Sequence, residues 1–135
     1  MTRSSRFILF LILAVAFYIA ALSNTVYVVA SPPNLDWHTW LRKIESVVAF
    51  TVLGLSLAWW LAGRRHLSAI LILGMAAFSA LIELGQTYTG SPESWRLHIL
   101  DVACGALGGF FASLIAQALR LRDGSAGPAT GEPRR

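Results

Sequence analysis

Charge is what this chain has least of. Of its 135 residues, 13% are Asp, Glu, Lys or Arg and 56% are hydrophobic, with a mean hydropathy of +0.61. A water-soluble domain needs more surface charge than that, so a soluble fold is excluded and a membrane class remains. Cysteine occurs once, at Cys104 inside an apolar run, which excludes an intrachain disulfide and leaves the redox compartment unspecified. The three histidines, His38, His66 and His98, fall on separate segments with neither zinc-ligand spacing nor a Ser–His pairing, so no metal, cofactor or catalytic residue is assigned. There is no solenoid repeat and no length for a second domain.

Basic residues exceed acidic ones, eleven to seven, for a net charge of +4. They occur in small clusters between apolar runs rather than along one face. Topology signals, not a nucleic-acid surface, are what that pattern implies.

The apolar runs predict an all-α integral membrane protein, four transmembrane helices in a compact bundle over residues 1–119, with spans near 7–29, 46–62, 67–84 and 97–119. The first run is longer than the core of a signal peptide and is read as an uncleaved span. Ser31-Pro32-Pro33-Asn34-Leu35-Asp36 and Thr87-Tyr88-Thr89-Gly90-Ser91-Pro92 supply turn residues for external loops. Trp37, His38 and Trp40, and later Trp59-Trp60, suit the headgroup level. The Gly- and Pro-rich tail at 120–135 is predicted to be disordered. Eight Arg (Arg3, Arg6, Arg64, Arg65, Arg120, Arg122, Arg134, Arg135) fall on the proposed inner side, against Arg42, Lys43 and Arg96 outside. Both termini are therefore expected in the cytoplasm.

The candidate site is a polar cluster within these spans: Glu83, Gln86, Arg96 and Asp101. An Asp at the centre of a membrane helix costs roughly 3 kcal/mol on insertion scales, so such residues tend to face a bundle interior and to be functional. Glu83 and Gln86, three apart, share a helix face, and Asp101, Gly105, Gly108 and Ala112 draw a polar-then-small stripe on the next helix. Gly105, Gly108 and Gly109 are assigned to close helix packing. Arg96 is the nearby cation expected to pair with one carboxylate, and the two acids, if close, would share a proton. Interhelical glue is the competing, purely structural reading of the same residues.

Glu83-Leu84-Gly85-Gln86, then Arg96, then Asp101-Val102 and Gly108 resemble the signature of the VanZ-like proteins, small multi-span bacterial membrane proteins. The similarity covers roughly residues 40–112. Arg42 stands where that family usually has Asp, Ser46 where it has His and Gly105 where it has Asn, and the loop before Arg96 is a few residues longer. His38 or His98 is the replacement for the family histidine that this chain offers.

The family takes its name from a protein linked to teicoplanin-type glycopeptide resistance. The resemblance implies a protein of the bacterial cytoplasmic membrane and cell envelope that binds or handles an amphiphile or a lipid-linked envelope precursor, with a bearing on glycopeptide susceptibility. Arg96 would meet an anionic headgroup or pair with Asp101. A proton-coupled transporter subunit, acting as a homo-oligomer or within a larger membrane complex, is the alternative, as is a scaffold; an intramembrane hydrolase or transferase has less in its favour.

Overall fold

The computed structural model describes residues 2–23, 38–88 and 95–125, and the side chains of these except at 38, 39, 95, 96 and 121–125. The expected loop at 31–36, its neighbour Trp37, residues 89–92 of the expected 87–92 loop and the tail from 126 lie outside the described residues, as do the side chains of His38 and Arg96; Thr87 and Tyr88, expected in that loop, are the last residues of a helix instead.

The described residues form four helices: α1 (Arg3–Leu22), α2 (His38–Trp60), α3 (Leu67–Tyr88) and α4 (Trp95–Ser125). Thr2 caps α1, its side-chain oxygen accepting from the Ser5 backbone N–H at 3.2 Å. A tight turn joins α2 to α3. Gly63 sits there at φ +88°, the left-handed conformation in which helices commonly terminate, and His66 at φ +57° redirects the chain into α3. At the other boundary, α4 continues past the expected end at Leu119 to Ser125.

Among the described residues three stretches are long and apolar enough to cross a membrane: Arg3–Leu22, Leu67–Tyr88 and Leu97–Arg120. The sequence led to four. α2 differs because its helix starts at His38, eight residues before the expected Ser46, which brings Arg42, Lys43 and Glu45 onto the helix itself. Its uncharged part, Ser46 to Trp60, then rises only about 22 Å of a hydrocarbon layer about 30 Å thick.

The bundle runs up-down-up-down. Arg6 at the start of α1 donates to the Trp59 carbonyl at the end of α2 at 3.4 Å and lies 5.0 Å from the Trp59 ring centroid. Gln117 late in α4 donates to Ser68 early in α3 at 3.1 Å. These contacts bring the start of α1, the end of α2, the start of α3 and the end of α4 to one end of the bundle, where Arg3, Arg6, Arg64, Arg65 and Arg120 collect.

Helix α4 is the centre of the packing, set between α3 and α2. Three glycines let it in. A Cβ on Gly105 would stand 2.6 Å from the Ser79 Cβ and 2.8 Å from the Met75 carbonyl of α3; on Gly108 it would collide with Phe50 of α2, and on Gly109 with the Leu71 carbonyl of α3. Where lipid gives helices no hydrophobic reason to associate, this backbone proximity is what supplies dispersion contact. Leu71, Met75, Phe50, Leu53 and Ala112 fill the core beside the seam. Phe17 of α1 meets Phe50 edge-on at 5.2 Å between centroids. Outward faces are apolar as well, with Ile8, Ile12, Val15 and Ile19 of α1 and Leu73 of α3 exposed, which is what a lipid-solvated surface requires.

Candidate functional site

At the end opposite the arginines the helices diverge around a cavity of about 260 Å³. Helix α2 lines it with Arg42, Glu45, Ser46, Ala49 and Phe50, spaced by three, one, three and one, which is a single helical face. Helix α3 contributes Ser79, Ile82, Glu83 and Gln86 on the same periodicity, α4 adds Asp101, and Phe17, Ala20 and Ala21 of α1 form an apolar wall.

Asp101 is buried, 9% exposed, and so is Lys43, 7% exposed. The Lys43 Nζ stands 2.5 Å from both carboxylate oxygens, an ion pair between α2 and α4. A low-dielectric site makes this geometry decisive, because either charge alone would be uncompensated. Ser79 Oγ of α3 donates to the Asp101 backbone carbonyl at 2.9 Å, so three helices meet at one residue. Removing that hydroxyl in Ser79→Ala should cost about 1 kcal/mol in detergent unfolding without disturbing the ion pair; a loss as large as that of Lys43→Ala would show that the hydroxyl does more than bridge helices.

Glu83, also buried, is in contact through Oε2 with His98 Nδ1 on the first turn of α4. Gln86 Nε2 donates to the Ala21 carbonyl at 3.1 Å, satisfying one of the last carbonyls of α1, which have no partner within their own helix. It also fixes the amide orientation, nitrogen toward α1.

Glu83, Gln86 and Asp101 therefore surround one cavity, while the Arg96 side chain is outside the described residues. The two carboxylates have separate partners, Lys43 for Asp101 and His98 for Glu83, rather than each other. Five polar participants were not singled out from the sequence as parts of this cluster: Lys43, Arg42, Glu45, Ser46 and Ser79. The signal for α2 was the polar face at 42, 45 and 46 continuing into Ala49 and Phe50, which reads as loop and topology charge unless the helix is started early enough. Of the two histidines named above, His98 reaches the cavity's Glu83, and the side chain of His38 is not described.

Chemically, the site can accept donors at carboxylates, donate from a guanidinium, and present an imidazole–carboxylate couple. Among the described residues no three His, Cys, Asp or Glu side chains are grouped to hold a metal. No family model, no curated protein and no solved structure matches the chain.

Proposed function

We propose that this chain is a VanZ-like protein of the bacterial cytoplasmic membrane, crossing it four times with both ends inside, and that it binds the polar headgroup of an amphiphile or lipid-linked envelope component. One observation carries the reading: a cavity with charged side chains from α2, α3 and α4 and an apolar wall of Phe17, Ala20 and Ala21 from α1, within a bundle that is apolar on its outside. Buried ionisable residues in such a bundle are expensive and ordinarily serve a ligand or an ion. The arginines gathered at the opposite end support an inward-facing basic end and an outward-facing cavity. The motif spanning Glu83, Gln86, Asp101 and Gly108 supports the family and, through it, a role in sensitivity to envelope-directed antibiotics.

The test is to fill the cavity without touching its charges. Ala49→Trp should retain wild-type abundance and lose the thermal stabilisation that a bacterial polar lipid extract gives the purified protein in detergent. Equal stabilisation of the variant and the wild type would sink the reading.

A second reading, a small proton-coupled subunit, has the Glu83–His98 contact in its favour. Under it, Glu83→Gln would abolish a pH-dependent activity while leaving lipid stabilisation intact.

A further inference from the structure

The cavity carries charges of both signs, and their arrangement says more about an occupant than the shape does. Arg42, Glu45, Glu83 and Asp101 all line it. Asp101 has Lys43 across both of its oxygens, and Glu83 has His98. Arg42 and Glu45, three apart on α2, set a guanidinium and a carboxylate side by side on the same wall.

A purely anionic headgroup would find Arg42 but would bring its charge up to three carboxylates. A purely cationic one would find carboxylates but would meet Arg42. A group with an anion at one end and a cation at the other meets both requirements. Size narrows the choice further. About 260 Å³ is the liquid volume of roughly nine waters, below the approximately 300–1,000 Å³ of pockets that enclose whole drug-sized ligands. The cavity accommodates a headgroup and leaves acyl or prenyl chains outside it.

Building on the amphiphile reading above, we propose that the cavity is a site for the phosphoethanolamine class, a phosphate ester bearing a primary ammonium, with the phosphate on Arg42 and the ammonium between Glu45 and Glu83. A guanidinium meets phosphate oxygens with two parallel hydrogen bonds, a geometry no single ammonium offers. A primary ammonium brings three N–H donors to the carboxylates, whereas a quaternary choline brings none.

The experiment measures binding to the purified full chain in detergent micelles by native mass spectrometry and thermal unfolding. The probes are phosphatidylethanolamine, phosphatidylglycerol, phosphatidylcholine and soluble O-phosphoethanolamine. Phosphatidylethanolamine is expected to bind about 10-fold more tightly than either other lipid, a difference of one decade in affinity. Arg42→Ala and Glu45→Gln should bring the lipids to within about 2-fold of one another, and Arg42→Lys should keep part of the preference. Phosphatidylglycerol or phosphatidylcholine binding as tightly as phosphatidylethanolamine to the wild-type chain overturns the proposal, whether or not the variants fold. Soluble O-phosphoethanolamine binding as tightly as the lipid would support the headgroup chemistry and remove the amphiphile reading. Lipid binding that Ala49→Trp abolishes, yet without headgroup preference, would do the reverse.

Discussion

Lys43→Ala and Asp101→Asn should each destabilise the bundle by about 3–5 kcal/mol, because each leaves the other charge buried and unpaired. Both residues are under 10% exposed, and the pair joins α2 to α4 with Nζ at 2.5 Å from each oxygen. The double variant Lys43→Met with Asp101→Leu removes both charges together and should recover most of the loss, since apolar replacement of a whole buried pair is often neutral or stabilising. Unfolding in detergent of the wild type, Lys43→Met, Asp101→Leu and the double variant closes a double-mutant cycle and gives the coupling directly. Additive losses in the double variant would mean that the two side chains do not depend on each other. If the double variant is stable but no longer stabilised by lipid, the pair also shapes the cavity it borders.

The second large effect is expected at the seam. Gly109→Ala should lower the yield of folded protein severely, because the new methyl would press on backbone atoms of α3, the Leu71 carbonyl and, at 2.9 Å, the Ile72 Cα. Backbone cannot rotate aside as a side chain can. Overpacking a tight core ordinarily costs about 1–3 kcal/mol and occasionally more, and a helix-wide shift of α4 would also move Asp101 away from Lys43. Gly74→Ala is the matched control, since its added carbon would meet only the Leu57 Cδ2 at 3.8 Å, an ordinary contact. Fluorescence-detected size exclusion on membranes expressing each variant separates the two cases. A monodisperse, abundant Gly109→Ala would show that the seam has slack.

Hydropathy was enough to read helices, their number and the membrane class of three of them, because long apolar runs leave lipid few alternatives to a helix. The face arithmetic was legible too: Glu83 and Gln86 on one side of α3, Asp101 heading the small-residue stripe of α4. What a linear reading could not supply was Lys43. It lies 58 residues from Asp101, next to another cation, in a stretch read as the external lead-in to the second span rather than as part of its helix. Arg96, five residues from Asp101 on the same helix, looked the nearer partner; its side chain lies outside the described residues, and the partner they give Asp101 is Lys43 of α2. The same reasoning hid Arg42, Glu45 and Ser46. Once Lys43 has a buried carboxylate to meet, α2 extends back to His38 and its first turns become cavity wall.

Helix α1 is held differently from the rest. Only 6% of its membrane-length stretch is buried, against 33% for the corresponding parts of α3 and α4, and its ties include Arg6 with Trp59, Phe7 near Trp60 at 4.6 Å, Phe17 with Phe50 and Phe78, Tyr18 with Phe78, and the Gln86 bond to Ala21. Yet it supplies the apolar wall of the cavity. Were the far half of α1 to swing about its Arg6 end, the bond from Gln86 to Ala21 and the ring contacts of Phe17 and Tyr18 would break while the glycine seam stayed closed. Under the amphiphile reading, such a door would face sideways into the bilayer. A molecule already dissolved among the lipids would pass its head through it while its tails never left the hydrocarbon.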